Sequence, residues 1–293
     1  MSDRNSDGLR DLPLWRAFLA AYRSGSVSAA ARMLGLAQSS VTAQLQALEH
    51  RMGEPLFERH ARGIRPTPRA DDLAARLAGP LDQLALAAGA TAARPPLRLG
   101  GAAEFLERVA MPALAPSIAS GMRLAVTPGL ADDLLEQLRV GSLDLVVSAV
   151  RPRGRALPAS ALCDEEFALV ASPALGIEPA ARPRLDHPLL AYAHDLPILR
   201  RYWRHVFGER LDREPDLVLP DLRALAAAAV AGAGVTVLPT YLIAAELAEG
   251  RLAVLRPTDD PPINTLYLVR RPGPPAPGID VIDAALRTAV AGF

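Results

Sequence analysis

The spacing of apolar residues between positions 26 and 50 restricts the fold more than any other feature of the sequence. Ser26 or Ser28 can cap a first helix rich in alanine, and Gly35 stands where that helix needs a left-handed residue to end. A second helix has its apolar face at i, i+4 and i+7, formed by Val41, Leu45 and Leu48. Because small alanines let the second helix pack closely across the first, the pattern predicts a helix-turn-helix.

The outward side of the second helix carries short polar side chains, which can reach base edges and phosphates in a major groove. We therefore expect this helix to be the recognition helix of a DNA-binding protein. The candidate DNA-contacting residues in and before it are Ser28, Gln38, Ser39, Ser40, Thr42 and Gln46.

A candidate β-wing lies between Arg59 and Arg69, where the arginines have no acidic residue between them and Gly63 supplies a turn. Unopposed arginines suit phosphate binding or insertion into a narrow minor groove. The wing residues predicted to contact DNA are Arg59, Arg62, Arg65 and Thr67. On these residues alone one alternative stays open, in which residues 12–69 form a small helical protein-interaction domain with a solvated arginine loop.

The sequence changes character after residue 69. Residues 70–91 are nearly all helix formers with leucines at helical spacing, which predicts one long amphipathic helix with a kink at Pro80. After Pro96, short apolar runs alternate with helical stretches, and this predicts an α/β domain with a largely parallel sheet. The predicted strands are 97–100, 122–127, 144–149, 166–172, 216–220, 234–239 and 265–270, and the later predicted helices are 131–140, 197–208, 221–231, 239–249 and 279–291.

Composition and motifs argue against several classes of function. The formal net charge is zero, so any basic surface must be local. A single cysteine, Cys163, and five histidines without metal-ligand spacing predict no disulfide, no metal site and no cofactor. We recognise no catalytic motif, and the cluster Asp164-Glu165-Glu166 is predicted to be solvated. No signal peptide or membrane span is recognisable, which predicts a cytoplasmic protein.

The helix-turn-helix run carries a more specific pattern than its apolar spacing. From Ser26 to Glu49 it resembles the LysR-type transcriptional regulators, whose signature has a Ser, an Ala-Ala pair, a Leu, a Ser-Gln pair and Gln-Ile/Leu before Leu-Glu. The match continues through Gly53, Pro55-Leu56-Phe57, Arg59 and Thr67-Pro68. The later segments that resemble the family are Gly-Ser-Leu-Asp-Leu at 141–145 and the stretches 228–239 and 242–252. The resemblance therefore covers nearly the whole chain.

Three departures from the family pattern fall in the predicted DNA-binding region. They are Ala37 for a Ser that caps the recognition helix, Ala43 for an often basic residue, and Pro66 with Arg69-Ala70 for Leu and Ala-Gly at the wing exit. Losing a cap typically costs about 0.5–2 kcal/mol, although Ser39 or Ser40 can cap a shorter helix. More of the DNA affinity is therefore expected to rest on Gln38, Thr42 and the Arg59–Arg65 wing.

The resemblance implies an α/β protein overall, made of three parts. These are an all-α winged helix-turn-helix at 1–69, a linker and dimerisation helix at 70–94, and a two-lobed α/β effector domain similar to periplasmic solute-binding proteins at 95–293. Lobe I would comprise 95–171 and 266–293 and lobe II 172–265, with hinges near Ala171-Ser172 and Asn264-Thr265. The implied partners are a double-stranded DNA operator, a small-molecule effector of unknown identity and a second or further copies in a homodimer or homotetramer. RNA polymerase is a further candidate partner, and no membrane is implied.

The effector is expected at the carboxyl ends of strands and the N-termini of helices, where open α/β sheets bind ligands. The candidate effector-binding residues are Ala102, Ala103, Glu104, Thr127, Ser148, Tyr192, His194 and Thr236. A surface or packing role is the alternative for each, and Glu104 can simply favour the dipole of its helix. If Glu104 faces the cleft, it disfavours anionic effectors and suits an amino or guanidino group.

The leading hypothesis is thus a DNA-binding transcriptional regulator whose operator binding or activation is controlled by a small molecule. The alternative is a cytoplasmic solute-binding or enzymatic α/β protein with a helical accessory domain. The N-terminal signature and the lack of a recognisable catalytic constellation argue against that alternative, and we expect no enzyme. The sequence names neither the effector nor the target genes.

Overall fold

The computed structural model describes residues 11–60, 63–87, 96–154, 157–179, 186–273 and 275–293. Its N-terminal part contains three helices, α1 (Leu12–Ser24), α2 (Val27–Leu34) and α3 (Gln38–Met52), and an antiparallel hairpin of β1 (Phe57–His60) and β2 (Gly63–Pro66). The core that these elements share includes the buried side chains of Phe18, Val41, Leu45, Leu48 and Leu56. The predicted winged helix-turn-helix is confirmed.

The ends of α2 and α3 follow the local sequence. Ser26 caps α2 by accepting a hydrogen bond from the backbone N–H three residues on, at 3.4 Å, and Gly35 ends the helix with a φ of 66°. Ala37 precedes α3 and provides no side-chain cap. The helix nevertheless begins at Gln38, ahead of the two serines that were expected as replacement caps.

The wing is fixed to the helices at both of its ends. At the base, Glu49 on α3 accepts hydrogen bonds from two successive backbone N–H groups where β1 begins, at 2.8 and 3.1 Å. At the turn, the N–H of Ile64 donates to the carbonyl of Gly25 at 3.1 Å. A Cβ at Gly63 would lie only 2.6 Å from that same oxygen, so this close approach of wing and α1 requires glycine.

Replacing Glu49 with alanine is expected to lower the free energy of unfolding by about 1–3 kcal/mol, because backbone donors at the wing base lose their acceptor. Urea denaturation of the full chain measures this change. The matched control is Glu54→Ala, which removes only a half-exposed partner of Arg69 at 2.9 Å. The control should cost less than about 1 kcal/mol, and equal losses for the two variants would contradict the assignment.

The helix α4 (Pro68–Ala87) follows the wing and continues through Pro80, so the proline does not end it. The predicted residues of this helix from 88 to 91 lie outside the described part of the chain. At its start, the hydroxyl of Thr67 accepts from the N–H of Ala70 at 3.3 Å and donates to the carbonyl of Pro55 at 3.1 Å. Thr67 therefore holds the wing exit to α4.

Lobe I is built on a sheet with the strand order β4–β3–β5–β11–β6. Its strands are β3 (Leu97–Gly101), β4 (Leu124–Pro128), β5 (Leu145–Ser148), β6 (Ala159–Ala171) and β11 (Ile263–Arg270). One face packs against α5 (Ala103–Phe105), a π-helical turn (Leu106–Ala110), α6 (Met111–Ala119) and α11 (Ile279–Val290). The other face packs against α7 (Ala131–Arg139), so both faces of the lobe I sheet are covered.

Lobe II continues from the second half of β6. Its further strands are β7 (Leu190–Ala191), β8 (Leu217–Val218), β9 (Thr236–Pro239) and β10 (Ala253–Val254). Its helices are α8 (Pro197–Phe207), α9 (Leu222–Val230) and α10 (Ala244–Ala248). Since β9 and β10 both pair with β6, the same strand contributes to the two lobes.

The structure corrects several expectations about the strands and helices of this domain. The pairs β3–β4 and β3–β5 are parallel, but β6, β9, β10 and β11 pair antiparallel, so the sheet is mixed rather than largely parallel. Pairing of β6 changes from β11 to β9 between Glu166 and Phe167, so the chain passes between lobes inside β6, ahead of Ala171-Ser172. The predicted strand 166–172 is only the second half of β6, because the first half contains polar residues and lacks a continuous apolar run. The predicted helix 239–249 shortens to α10.

A chain of ion pairs joins α1 and α4 to lobe I. Arg23 on α1 donates to both carboxylate oxygens of Asp82 on α4, at 2.8 and 2.9 Å. Arg271, just after β11, bridges Asp82 at 2.8 Å and Asp144 at 2.9 Å. Arg98 on β3 completes the chain by pairing with Asp144 at 2.7 Å. We call these five residues the junction network.

Lobe I also packs directly on α4 beside the junction network. Val140 is 5% exposed and belongs to the apolar core of the winged domain and α4. At Gly141 the φ is 78°, and a Cβ would lie 2.5 Å from the Cβ of Ala78 on α4. Glycine is therefore required where the family-like segment 141–145 meets α4.

Candidate DNA-binding surface and effector cleft

The outward positions of α3 are polar and largely exposed. Gln38, Ser39, Ser40 and Gln46 are exposed, and Ser28 is exposed on the neighbouring α2. Thr42 is half-buried, and its hydroxyl donates to the carbonyl of Gln38 at 3.0 Å. The same helix buries Val41, Leu45 and Leu48, so its polar side is held outward by the core. The geometry suits a helix that enters a groove, and the individual DNA contacts stay predictions.

The wing presents arginine on both of its strands. Arg59 on β1 and Arg65 on β2 are exposed, and neither forms an ion pair within the described part of the chain. Arg62 lies outside the described residues, and the hydroxyl of Thr67 already bonds to the backbone at the wing exit. Within the described residues of the wing, two guanidinium groups without an ion pair are therefore available for phosphate oxygens.

A cleft of about 730 Å³ lies between the two lobes. It is lined by the start of α5, the loop after β4, the end of β5 and the middle of β6, and on the lobe II side by the starts of α8 and α9. Its walls are mainly apolar and include Leu130, Val147, Val150, Phe167, Ile198 and Leu222. Size and lining are those of a site for a small organic molecule.

The structure divides the predicted effector-binding residues into two groups. Ala102, Ala103, Glu104 and Tyr192 line the cleft, whereas Thr127, Ser148, His194 and Thr236 do not. Ser148 is 1% exposed, and its hydroxyl is bonded to the backbone of Val150 at 2.7 and 3.1 Å. Strand-end position alone does not decide which side chains reach a cleft, because successive residues of a strand point to opposite faces. Direct contact with an effector stays a prediction for all of them.

Two carboxyl groups of the cleft are withdrawn from solvent. Glu165 on β6 is 7% exposed and accepts a hydrogen bond from the side-chain amide of Asn264 at 2.8 Å. Burial raises the pKa of Glu165 to about 7, and the nearby charge of Glu104 acts in the same direction. Burial also raises the pKa of Glu104 at the start of α5, with a further contribution from Asp221. The expectation that Glu165 is solvated is wrong.

The alternation of residues between the two faces of β6 indicates that Glu165 is buried. Residues two apart on a strand share a face, which puts Glu165 on the same face as Phe167 and Leu169. Both of those residues are buried. A predicted strand that began one residue earlier than 166 would therefore place this carboxyl on the buried face.

Two further polar groups, on Tyr241 and Cys163, adjoin Glu165. The hydroxyl of Tyr241 forms a hydrogen bond with Glu165, and its ring packs edge-on to Phe105 at 6.2 Å. Burial raises the pKa of Tyr241 above its usual value, so the phenol stays protonated. Burial, reinforced by Glu165 and Asp164, raises the pKa of the Cys163 thiol to about 11. The thiol is therefore a poor source of thiolate at neutral pH.

Ion pairs connect the two lobes beside the cleft. Arg223 on α9 binds Asp221 at 2.7 Å and Glu107 of lobe I at 3.1 Å. Arg108, also in lobe I, approaches Glu246 of α10 at 3.6 Å. The Arg223 pairs are partly exposed, so each contributes about 0–1 kcal/mol, whereas the Glu246 side chain of the second pair is 12% exposed.

The buried carboxyl predicts a specific dependence of stability on pH. The folded pKa of Glu165, about 7, lies above its ordinary value of 4.5, so folding disfavours the ionised form. Stability from the protonated carboxyl is therefore present below about pH 4.5 and is lost as pH rises towards about 7. The Glu165→Gln variant does not undergo this loss. We expect its free energy of unfolding, relative to that of wild type, to increase by up to about 3 kcal/mol from about pH 5 to about pH 8.

Urea denaturation of wild type and Glu165→Gln at the two pH values measures this difference. The control is Glu178→Gln, which alters an exposed carboxylate outside the cleft. A difference between Glu165→Gln and wild type that is the same at both pH values would contradict the buried, protonated carboxyl.

The described residues contain no helix that is both long and apolar enough to span a membrane. The same residues contain no cluster of three or more His, Cys, Asp or Glu side chains placed to hold a metal ion. The cleft offers carboxyl, amide, phenol and guanidinium groups for binding.

Comparison with known proteins covers both parts of the chain. Residues 12–71 match the family described as bacterial regulatory helix-turn-helix protein, lysR family, and residues 90–289 match the LysR substrate binding domain. The HTH-type transcriptional regulator AbaB of Streptomyces antibioticus is 40% identical over 278 residues, which cover 90% of this chain and 92% of that protein.

Solved structures share the fold over nearly the whole length. ArgP from Mycobacterium tuberculosis superimposes with a TM-score of 0.76 at 24% identity, covering 96% of this chain and 97% of that chain. A full-length variant of OxyR from Pseudomonas aeruginosa gives a TM-score of 0.77 at 22% identity, covering 96% and 99%. The order of winged domain, connecting helix and two lobes is therefore common to these proteins.

Proposed function

Because this chain belongs to the LysR family of bacterial transcriptional regulators and is not an enzyme, we propose that it binds a DNA operator through α3 and the wing, under the control of a small molecule in its cleft. Regulators of this family bind DNA and small-molecule effectors and form oligomers. One observation carries the proposal for this chain. The winged domain exposes a polar recognition helix, and the junction network joins its α1, together with α4, to a two-lobed domain with a cleft of small-molecule size.

In this proposal α3 enters the major groove and the wing contacts the backbone or minor groove beside it. The groups offered to the DNA by α2 and α3 are Ser28, Gln38, Ser39, Ser40, Thr42 and Gln46, and those of the wing are Arg59, Arg62, Arg65 and Thr67. Gln38 can pair with an adenine edge through its amide, whereas the arginines bind phosphates without reading sequence. Gln38 thus contributes to specificity and the wing to affinity.

The effector acts by favouring one arrangement of the two lobes. Among the predicted contacts, Ala102, Ala103 and Glu104 of lobe I and Tyr192 of lobe II face the same cleft. A molecule that touches both lobes binds the closed arrangement more tightly and shifts the population towards it. The junction network transmits this shift to α4 and the winged domain.

Two copies of the chain assemble through α4, as the family's oligomers suggest. Leu84 on α4 is 44% exposed although it is apolar, which supports a second copy covering it. A homodimer places two winged domains on successive DNA half-sites, and a homotetramer pairs two such dimers. RNA polymerase is a further partner in this proposal, and the working compartment is the cytoplasm.

The signal is a bound molecule rather than oxidation of a thiol. Cys163 is the only cysteine of the chain, so no internal disulfide can form. Because the pKa of its thiol is raised to about 11, Cys163 is a weak nucleophile at neutral pH. These two facts favour the cleft as the sensing site.

A mobility shift against the intergenic DNA upstream of the chain's own gene tests the proposed function. We expect binding that survives unrelated competitor DNA and that Gln38→Ala weakens on this sequence more than on the competitor. Failure of the wild-type chain to prefer the upstream DNA over the competitor would overturn the proposal.

A separate prediction concerns the contribution of the wing to DNA affinity. Arg65→Ala should weaken binding to all DNA sequences alike and reduce the slope of log affinity against log salt by about 1. Fluorescence titrations at several salt concentrations measure the slope. The matched control is Arg210→Ala, an exposed arginine of lobe II, which should leave affinity and slope unchanged. An unaltered slope for Arg65→Ala would show that this residue makes no phosphate contact.

A further inference from the structure

Two carboxyl groups that line the cleft have no ion-pair partner in the described part of the chain. Glu104 forms no ion pair within the described residues, and Glu165 is bonded to Asn264 and Tyr241. The two are close enough for the charge of Glu104 to act on Glu165. A buried carboxylate that lacks a cation is costly, so this pair is set up for a positive charge from outside the chain.

The arginines of the cleft do not supply that charge. Arg223 is bound by both oxygens of Asp221, at 2.7 and 3.0 Å, and by Glu107 at 3.1 Å. Arg201 is exposed on α8, and it lowers the pKa of Glu165 less than burial raises it. The two arginines that line the cleft are exposed, whereas Glu104 is half-buried and Glu165 is buried.

The walls around the carboxyl pair suit an apolar body. Leu130 and Val150 are large apolar side chains, 59% and 46% exposed, and both line the cleft. Phe167 and Ile198 line it from β6 and from lobe II. Apolar groups left exposed in a concave site gain most when an apolar ligand covers them.

We propose that the effector is an organic cation, a protonated amine or guanidinium on an apolar body, whose charged head binds between Glu104 and Glu165. The inference rests on the proposed function, since it names the chemical class of the molecule that the cleft senses. The apolar body covers Leu130, Val150 and Phe167, while the hydroxyl of Tyr241 and the amide of Asn264 hold Glu165 in place.

The proposed mode of binding couples ligand affinity to a proton. The charged and titratable groups that face Glu165 are Glu104 on α5, Tyr241 after β9, Arg201 on α8 and, on its own strand, Cys163 and Asp164, while Asn264 on β11 bonds to it. A bound cation favours ionised Glu165, which is only partly ionised near its free pKa of about 7. Binding therefore releases a proton, and affinity for an amine should rise about tenfold from about pH 6 to about pH 8.

Titration calorimetry on the full chain tests the charge preference with matched probes. The panel pairs butylamine, hexylamine, octylamine and phenethylamine with the carboxylate and the alcohol on the same carbon skeletons. We expect the tightest-binding amine to bind at least about tenfold more tightly than its carboxylate and alcohol counterparts, as a charge-assisted hydrogen bond provides. A panel in which no amine binds more tightly than its carboxylate counterpart overturns the proposal.

Two variants test whether the charged head of the amine binds at Glu104 and Glu165. Glu104→Gln should weaken binding of the best amine by about tenfold or more, and Glu165→Gln should reduce both the proton release and the rise of affinity with pH. Glu178→Gln, outside the cleft, is the control and should match wild type. Proton release is measured by repeating the titration in buffers of different ionisation enthalpy. Amine binding that is unchanged in both cleft variants overturns the assignment of the site.

A measurement of operator binding by the same wild-type preparation distinguishes a failure of this inference from a failure of the proposed function. Selective DNA binding together with a preference for the carboxylate probes overturns the cationic effector alone. Amine binding in the cleft without selective DNA binding overturns the proposed function and leaves the ligand class standing.

Discussion

Asp144→Ala is expected to lower the free energy of unfolding by about 3–5 kcal/mol, because it removes the buried carboxylate that pairs with two largely buried arginines, Arg98 and Arg271. Asp144 is 6% exposed and accepts hydrogen bonds from the backbone N–H of Arg98 at 2.9 Å and from its guanidinium at 2.7 and 3.0 Å. The same carboxylate accepts a bond from Arg271 at 2.9 Å.

The Asp144 variant should also loosen the winged domain from lobe I. Arg271 holds Asp82 of α4 as well as Asp144, and Asp82 in turn holds Arg23 of α1. The guanidiniums of Arg23 and Arg271 keep the pKa of the Asp82 carboxyl below its usual value although burial opposes them, so this carboxylate is charged at neutral pH. Removing Asp144 takes away the lobe I carboxylate that links Arg98 to Arg271 and holds Arg271 in place, and the two domains should then unfold in separate transitions.

Urea denaturation followed by fluorescence measures both effects. The matched control is Asp259→Ala, an exposed aspartate in the loop after β10, which should change the stability by less than about 0.5 kcal/mol. A single transition with a loss no larger than that of the control would contradict the role assigned to the junction network.

Phe18→Ala is the second substitution with a large expected effect, a loss of about 3–5 kcal/mol in the stability of the winged domain. Phe18 is fully buried, and its ring lies 5.9 Å from that of Tyr22 and 5.7 Å from that of Phe57 in β1. The side chain therefore supports α1 and the wing together. We expect operator affinity to be lost while amine titration of the cleft is unaffected.

Phe18→Leu is the control for this substitution, because it keeps most of the apolar volume. It should lose less stability than Phe18→Ala and retain operator binding. Circular dichroism of each variant gives the stability, and a mobility shift gives the affinity. Operator binding by Phe18→Ala at the wild-type level would contradict the account of the winged domain.

The winged domain could be predicted from the sequence because local signals determine it. Ser26 and Gly35 mark the ends of α2, and the apolar spacing of α3 marks its buried face, so each element is encoded within a few residues. Even the missing cap at Ala37 was visible in the sequence. The structure adds the contacts that depend on distant residues, such as Glu49 with the base of the wing.

The effector cleft was only partly predictable, because its residues are brought together by the topology of two lobes. Glu104 and Tyr192 follow from the rule that ligands bind at strand and helix ends. Ser148 ends β5 and satisfies the same rule but is buried away from the cleft, since strand pleating decides the direction of a side chain, and Thr236 begins β9 and is buried too. Glu165 lies in the first half of β6, where the acidic residues favour the prediction of a solvated loop, so its burial is not apparent from the sequence.

The junction network had no sequence signal at all. Its charges lie on α1, on α4, on β3 and in the loops beside β5 and β11, and nothing in their spacing relates one to another. The family-like segment 141–145 contains Asp144, and the structure gives a physical reason for two of its residues. Gly141 permits contact with α4, and Asp144 fixes two arginines.

Selection of binding sites from a random DNA library by the full wild-type chain tests the central claim most directly. The account predicts an enriched motif with two related half-sites whose centres are about one helical turn, or a multiple of it, apart. Selection with Gln38→Ala should change the preferred bases at defined positions of each half-site, whereas Arg65→Ala should lower the yield and keep the same motif. A library that shows no enriched sequence with the wild-type chain would contradict the account.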